Sequence, residues 1–230
     1  MPESFYKLLK KSANNKERSL AILIDPDKFD ISSSRAFLRN IPIDTTHLFV
    51  GGSEVANGLT EEVVISLKQF SSLPVFIFPG DHMQITPKAD ALLFLSLLSG
   101  RNAEYLVGQQ VKSIAKLKDS TLEIIATAYL LLEGGNNSAV ARISETKPLP
   151  QENIEHIVHT ALAGQYMGAK LIYLEAGSGA LNPVKPKIIE AVKSVIKIPL
   201  IVGGGIRLAK QKEDAFSAGA DMIVMGTAFE

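Results

Sequence analysis

Eight short apolar runs spaced along the chain constrain its fold more than any other feature. They cover residues 20–24, 47–50, 75–78, 91–95, 123–128, 171–174, 200–202 and 222–225. Most lack the polar alternation of a half-solvated strand, as expected of parallel strands buried on both faces. Most end in glycine, proline or an acid: Asp25-Pro26, Gly51-Gly52, Pro79-Gly80, Glu175, Gly203-Gly204-Gly205 and Gly226. Segments with helical features lie between them, over 32–40, 58–70, 102–118, 153–168, 184–195 and 208–219. Serines open the first of these, and Thr60 reads as the N-cap of the second. Such alternation predicts an α/β class chain folded as one domain over 1–230, and eight strands in that length fit a (β/α)8 TIM barrel. A doubly wound open sheet shares the same pattern.

One connection breaks the rhythm. Residues 79–90, PGDHMQITPKAD, are too few and hold two prolines, so the third helix is expected to be replaced by a loop. The polar stretch 134–153, also with two prolines, reads as a long loop, either a lid or a solvated excursion.

Charge narrows the partners. Lys+Arg and Asp+Glu both number 24, which gives no general attraction to nucleic acid or to an anionic membrane. The chain has no cysteine, which excludes disulfides, thiolate zinc sites and cysteine nucleophiles and suits a reducing cytosol. The first 20 residues lack the apolar core of a signal peptide, and the longest apolar run, within 89–100, is too short to span a bilayer. A soluble cytoplasmic protein is the expectation.

In a barrel the chemistry sits at the C-terminal ends of the strands. After the seventh run, Gly203-Gly204-Gly205 lets the backbone approach an anion, with a helix expected to begin near Ile206. Gly226-Thr227 follows the eighth run, and together these are the two places where barrels build a shared phosphate site. Asp25, at the tip of the first strand, is placed to bind a hard cation such as Mg2+. Asp27 reads as a second candidate or as the cap of the short helix beyond, and Asp30 as neither. Ser53, after Gly51-Gly52, offers a hydroxyl to a metal-diphosphate group or merely caps a helix. Tyr173 and Glu175 are two apart and share one side of a strand, so both can face the mouth, where Glu175 reads as a general base or an ion-pair partner. The histidines, His47, His82, His156 and His159, carry no matching ligand motif.

Seven stretches in order, LIDPDK (23–28), VGGS (50–53), FPG (78–80), SLLSGRNAEYLVGQQ (96–110), YLEAGSGA (173–180), VGGGIR (202–207) and GTAFE (226–230), resemble the geranylgeranylglyceryl phosphate synthase family. LIDPDK and YLEAGSG look like the second of its two main groups, found in archaea and Bacteroidetes-type bacteria. The resemblance implies a barrel lacking its third helix. It implies transfer of a prenyl group from a long-chain prenyl diphosphate to the 3-hydroxyl of sn-glycerol 1-phosphate. Group membership favours geranylgeranyl, with the heptaprenyl donor of a related synthase as the runner-up.

By the same resemblance, Asp25 and Ser53 hold Mg2+ and Glu175 is the base. Glycerol phosphate falls to Tyr173, Leu174, Glu175, Ala176, Gly177, Ser178, Gly179, Gly203, Gly204, Gly226 and Thr227. The Tyr173 ring is placed to stabilise an allylic cation. Leu23 stands where other members carry a lysine, so that phosphate contact passes to Lys28 or Arg207. Residues 91–100, Tyr105 and the third-helix replacement offer an apolar groove for the tail. A homo-oligomer, dimer or hexamer, is implied, as is transient membrane contact through the lipid product. A phosphate-binding isomerase or epimerase accounts for the glycines of the last two loops but not for Asp25, Ser53 and the apolar fourth strand together. A silent prenyl-phosphate binder has no need of Glu175.

Overall fold

The computed structural model describes residues 4–226. Eight parallel strands close into a barrel in chain order. They are β1 Ser19–Ile24, β2 His47–Val50, β3 Val75–Ile77, β4 Ala91–Leu97, β5 Glu123–Leu131, β6 Leu171–Glu175, β7 Leu200–Gly203 and β8 Met222–Met225. Pairing of β1 with both β2 and β8 excludes the open doubly wound sheet. The helices are α1 Phe5–Asn14, α2 Ser34–Asn40, α3 Leu59–Phe70, α4 Gln109–Leu117, α5 Ala139–Ile143, α6 Ile154–Tyr166, α7 Pro186–Val195 and α8 Ala209–Ser217. Between β3 and β4 there is only a 3-10 turn, His82–Gln84, so the third barrel helix is replaced by a loop as the short connection predicts.

Two apolar layers follow from strand alternation. Ile22, Ile24, Leu48, Val50 and Ile77 face outward and pack with Val63, Val64 and Leu67 of α3 in the outer core. Ala21, Phe49, Phe76, Leu93, Tyr173 and Ile201 fill the barrel interior. Leu9, with Phe5 and Tyr6 beside it, joins this interior cluster, so α1 stoppers the N-terminal end of the barrel. Glu123 fixes the stopper, accepting from Ser4 Oγ at 2.5 Å and from the Phe5 and Tyr6 amides at 2.7 and 3.0 Å. A carboxylate at a helix N-terminus satisfies amides that have no partner within the helix. The open end is therefore the C-terminal one.

Some local expectations shift. The N-cap of α3 is Gly58, at φ 87°, and Thr60 lies buried within the first turn; the left-handed glycine starts the helix earlier than a threonine cap allows. Asp30 caps the 3-10 turn before α2, accepting from the Ser32 amide at 2.9 Å, whereas Asp27 accepts from the Ala56 amide at 3.2 Å and ties the β1 loop to the β2 loop. The helix after β7 starts at Ala209, and the amides of Arg207 and Leu208 are taken by Gln211 Oε1 at 2.8 and 2.9 Å. No helix among the described residues is long and apolar enough to cross a membrane.

Candidate active site

A cavity of about 480 Å³ opens at the C-terminal mouth. Its two ends differ in chemistry. One is built by the loops after β6, β7 and β8 and is rich in backbone amides; the other is built by β4, α4 and α5 and is mostly apolar.

At the polar end four glycines take left-handed φ: Gly177 at 98°, Gly179 at 69°, Gly204 at 82° and Gly205 at 72°. At Gly204 a Cβ would overlap Glu175 Oε1 and lie 2.7 Å from the Ala176 and Gly177 nitrogens, so the β6 and β7 loops meet backbone to carboxylate there. The Gly177 amide donates to Glu175 Oε1 at 2.7 Å, and the Ala176 amide to the Gly203 carbonyl at 3.1 Å. The amides of Ser178, Gly179, Gly204, Gly205 and Ile206 donate to nothing among the described residues. Successive unpartnered amides around left-handed glycines form an anion-binding concavity. Arg207 Nη1 reaches across to the Ala180 carbonyl at 3.0 Å and holds the two loops together.

Glu175 sits at the inner edge of this concavity, only 5% exposed. Burial pushes its carboxyl up to about 7, against the pull of the Gly177 amide and the nearby Tyr173 hydroxyl. The Tyr173 hydroxyl is buried and has no hydrogen-bond partner within the described protein, although it lies beside that carboxylate. Burial raises it well above the usual phenol range, and the Glu175 charge raises it further. A carboxyl poised near neutrality and an orphan donor, both on one cavity wall, are ordinary signs of a reacting site.

Beneath them lies an aromatic floor. Phe78 stacks on Tyr173 with centroids 5.1 Å apart and planes 8° from parallel, and Tyr129 tilts against both at 5.8 and 5.3 Å. Phe78 and Tyr173 both fall in motifs that stand out along the chain. Tyr129 does not, because its ring arrives from the middle of a long apolar strand.

The β1 and β2 loops form the middle of the cavity, where Asp25, Gly52 and Ser53 line one wall. Lys28 Nζ lies 3.4 Å from Asp25 Oδ2, and the Asp27 amide donates to Asp25 Oδ1 at 3.3 Å. No group of three or more His, Cys, Asp or Glu among the described residues forms a cage for a metal. One carboxylate beside a hydroxyl-bearing loop fits Mg2+, which keeps waters and takes its remaining ligands from substrate phosphates.

The apolar end exploits the missing helix. β3 pairs with β4 only at Ala91 and Leu92, while β4 and β5 stay paired from Ala91–Glu123 to Leu97–Tyr129. The upper edge of β4 thus faces the cavity, and Gln110 Nε2 covers its Leu95 carbonyl. One π-helical turn, Glu104–Gly108, precedes α4 and carries Tyr105 to the wall. The 134–153 stretch is a docked roof and not a solvated excursion. The Leu181 and Asn182 amides donate to the Gly134 carbonyl at 2.8 and 2.9 Å, and Val140 and Ile143 of α5 line the cavity.

Of the residues singled out in sequence, Asp25, Ser53, Tyr173, Glu175, Ser178, Gly204 and Gly226 line this one cavity. Leu174 and Ala176 turn outward into the helix-facing core. Thr227 lies outside the described residues. His156 and His159 sit on α6, away from the cavity lining.

Residues 13–230 match the model of the PcrB family. The chain is 54% identical over 230 residues to a geranylgeranylglyceryl phosphate synthase of Zunongwangia profunda, covering 100% of this chain and 98% of that one. A Flavobacterium johnsoniae protein of the same name is 51% identical over 217 residues, 94% of this chain and 89% of its own. Among solved structures, (S)-3-O-geranylgeranylglyceryl phosphate synthase from Thermoplasma acidophilum, in complex with substrate sn-glycerol-1-phosphate, superposes with a TM-score of 0.90 at 33% identity, covering 99% of this chain and 92% of that one.

Proposed function

The chain belongs to the PcrB family, and on that premise we propose that it joins the geranylgeranyl group of geranylgeranyl diphosphate to the 3-hydroxyl of sn-glycerol 1-phosphate. The observation that carries this reading is the order of groups along one cavity. An amide concavity, a carboxylate near neutrality, an aromatic floor, a wall carrying Asp25 and Ser53, and an apolar groove follow one another. An isomerase or epimerase accounts for the glycine loops but not for Asp25, Ser53 and the apolar groove together.

The chain's own groups then divide the work. The unpartnered amides of Ser178, Gly179, Gly204, Gly205 and Ile206 bind the phosphate. Glu175 accepts the proton of the 3-hydroxyl as its oxygen attacks C1 of the prenyl chain; the C1–O bond to diphosphate breaks and the diphosphate leaves with the electron pair. The Tyr173 ring, backed by Phe78 and Tyr129, faces the cation character that develops at C1. Asp25 and Ser53 would hold Mg2+, which when bound neutralises the charge of the leaving diphosphate. Lys28 and Arg207 supply further positive charge at the wall. The groove between the β4 edge, α4 and the roof takes the tail; a heptaprenyl donor is the variant of this reading with a deeper groove. Exposed Val107, Val111 and Ile114, on one face of the π-turn and α4, support association with a second copy.

Labelled sn-glycerol 1-phosphate, incubated with the protein, Mg2+ and prenyl diphosphates of increasing length, is expected to pass into organic solvent, most with the geranylgeranyl donor. Asp25→Asn should then raise the Mg2+ and prenyl-diphosphate concentrations needed for half-maximal rate by roughly tenfold or more. The KM for glycerol phosphate should hold within about twofold. The opposite pattern would place the diphosphate at the glycine loops instead.

A further inference from the structure

The β1, β2 and β3 loops meet with almost no side chain between them. A Cβ on Gly51 would overlap the Phe78 carbonyl, one on Gly80 the Gly52 carbonyl, and one on Gly52 would lie 2.5 Å from Asp25 Oδ1. Backbones this close cannot be held apart by packed side chains, and hydrogen bonds must set their spacing. Between the Gly52 and Gly80 turns one residue supplies them. Gln84, 3% exposed in the 3-10 turn that replaces the missing helix, donates from Nε2 to the Gly52 carbonyl at 2.7 Å. Its Oε1 accepts from the Gly52 amide at 3.3 Å and the Gly80 amide at 3.2 Å.

The side-chain amide therefore pairs with both polar groups of Gly52, as a neighbouring strand would, and takes in Gly80 as well. A glutamate cannot do this: its second oxygen would face the Gly52 carbonyl, acceptor against acceptor. A methionine matches the shape but makes none of the bonds. Gly52 touches the Asp25 carboxylate on one side and carries Ser53 on the other.

We propose that Gln84 is a positioning residue for the cation and diphosphate half of the site, acting through Gly52 on Asp25 and Ser53. The proposal rests on the prenyltransfer reading above. It also explains why this barrel loses its third helix without losing the β3 end of the site: the loop that opens the tail groove carries the clamp for the metal wall.

The test has two independent readouts. In the protein without ligands, the Gly52 and Gly80 amides should be protected from hydrogen exchange; rapid exchange of both in the unaltered chain would overturn the clamp whatever the variants do. Gln84→Met and Gln84→Glu should speed exchange at these two amides and raise the Mg2+ and prenyl-diphosphate requirement about tenfold or more, as when the hydrogen bonds behind a metal ligand are lost. Calorimetric affinity for glycerol 1-phosphate should stay within about twofold. The shift should shrink when Ser53→Ala is already present, since one of the two groups the clamp positions is then gone. An unchanged metal requirement in a folded variant, equal losses for both substrates, or full additivity with Ser53→Ala each count against the proposal. Failure of the wild-type chain to make any organic-soluble product is a different result. It counts against the function, and the exchange data still decide the clamp.

Discussion

Glu175→Gln should leave glycerol phosphate bound and all but abolish its reaction. The amide keeps the shape and still accepts the Gly177 N–H that Glu175 Oε1 accepts at 2.7 Å. It cannot take a proton from the 3-hydroxyl. A positioned base contributes about 10²–10⁴-fold, and turnover should fall by that much while the calorimetric Kd for glycerol phosphate moves little. Unchanged turnover would remove Glu175 as the base. The same substitution has a signed effect on stability. The folded carboxyl titrates at about 7, above its ordinary 4.5, because burial disfavours the charge. Its contribution is fully present below about 4.5 and is lost as pH rises through about 7. The loss is on the order of 3 kcal/mol. The glutamine variant should therefore gain on the wild type in melting temperature between about pH 5 and pH 8. A wild type that instead gains on its variant over that range would mean the carboxylate is well paired in the free protein.

Gly204→Ala should be strongly damaging at the phosphate end of the mouth. Two costs combine. The residue holds φ at 82°, where an L side chain costs about 1–2 kcal/mol. The new Cβ would also overlap Glu175 Oε1 and press on the Ala176 and Gly177 amides. To relieve it the β6 and β7 loops must part, and the concavity they form is what binds the phosphate. Affinity for glycerol phosphate should drop by about a hundredfold or more, in line with a misplaced orienting group. Gly168→Ala separates the two costs, since Gly168 sits at φ 99° with nothing within 4 Å of an added Cβ. It should lose about the strain alone and keep full affinity. Equal effects at both glycines would mean that conformational strain, and not the meeting of the two loops, explains Gly204.

Much of this architecture is legible in the chain because its physics is local. Most of the apolar runs from 20–24 through 222–225 are buried on both faces, and such strands announce themselves without partners. The missing third helix shows as a short connection with two prolines. Glu175 stands out because a carboxylate ending an apolar strand is costly unless it is used. What escapes the sequence depends on distant meetings. The stopper helix α1 hides because Phe5, Tyr6 and Leu9 sit among lysines, and its anchor, Glu123, lies 118 residues from Phe5. Asp27 and Asp30 are told apart only by what each backbone turn presents, Ala56 to one and Ser32 to the other. Gln84 looks like an ordinary polar loop residue until Gly52 and Gly80 close around it. Tyr129 reads as one more strand residue until its ring meets Tyr173.

Glu175 serves the hydroxyl end of glycerol phosphate while the amides of the glycine loops serve its phosphate, so an acid beside an anion site is no contradiction. The pH dependence of kcat at saturation with both substrates tests this most directly, because it reports ionisation within the full complex and is insulated from the substrate phosphate's own second ionisation near about pH 6. The expected result is a single acidic limb with a midpoint near the Glu175 value of about 7, absent from the glycerol phosphate Kd once that ionisation is allowed for. A kcat that stays flat from about pH 5.5 to 8.5, with the limb appearing only in Kd, would place the carboxylate at the phosphate and contradict this division of labour.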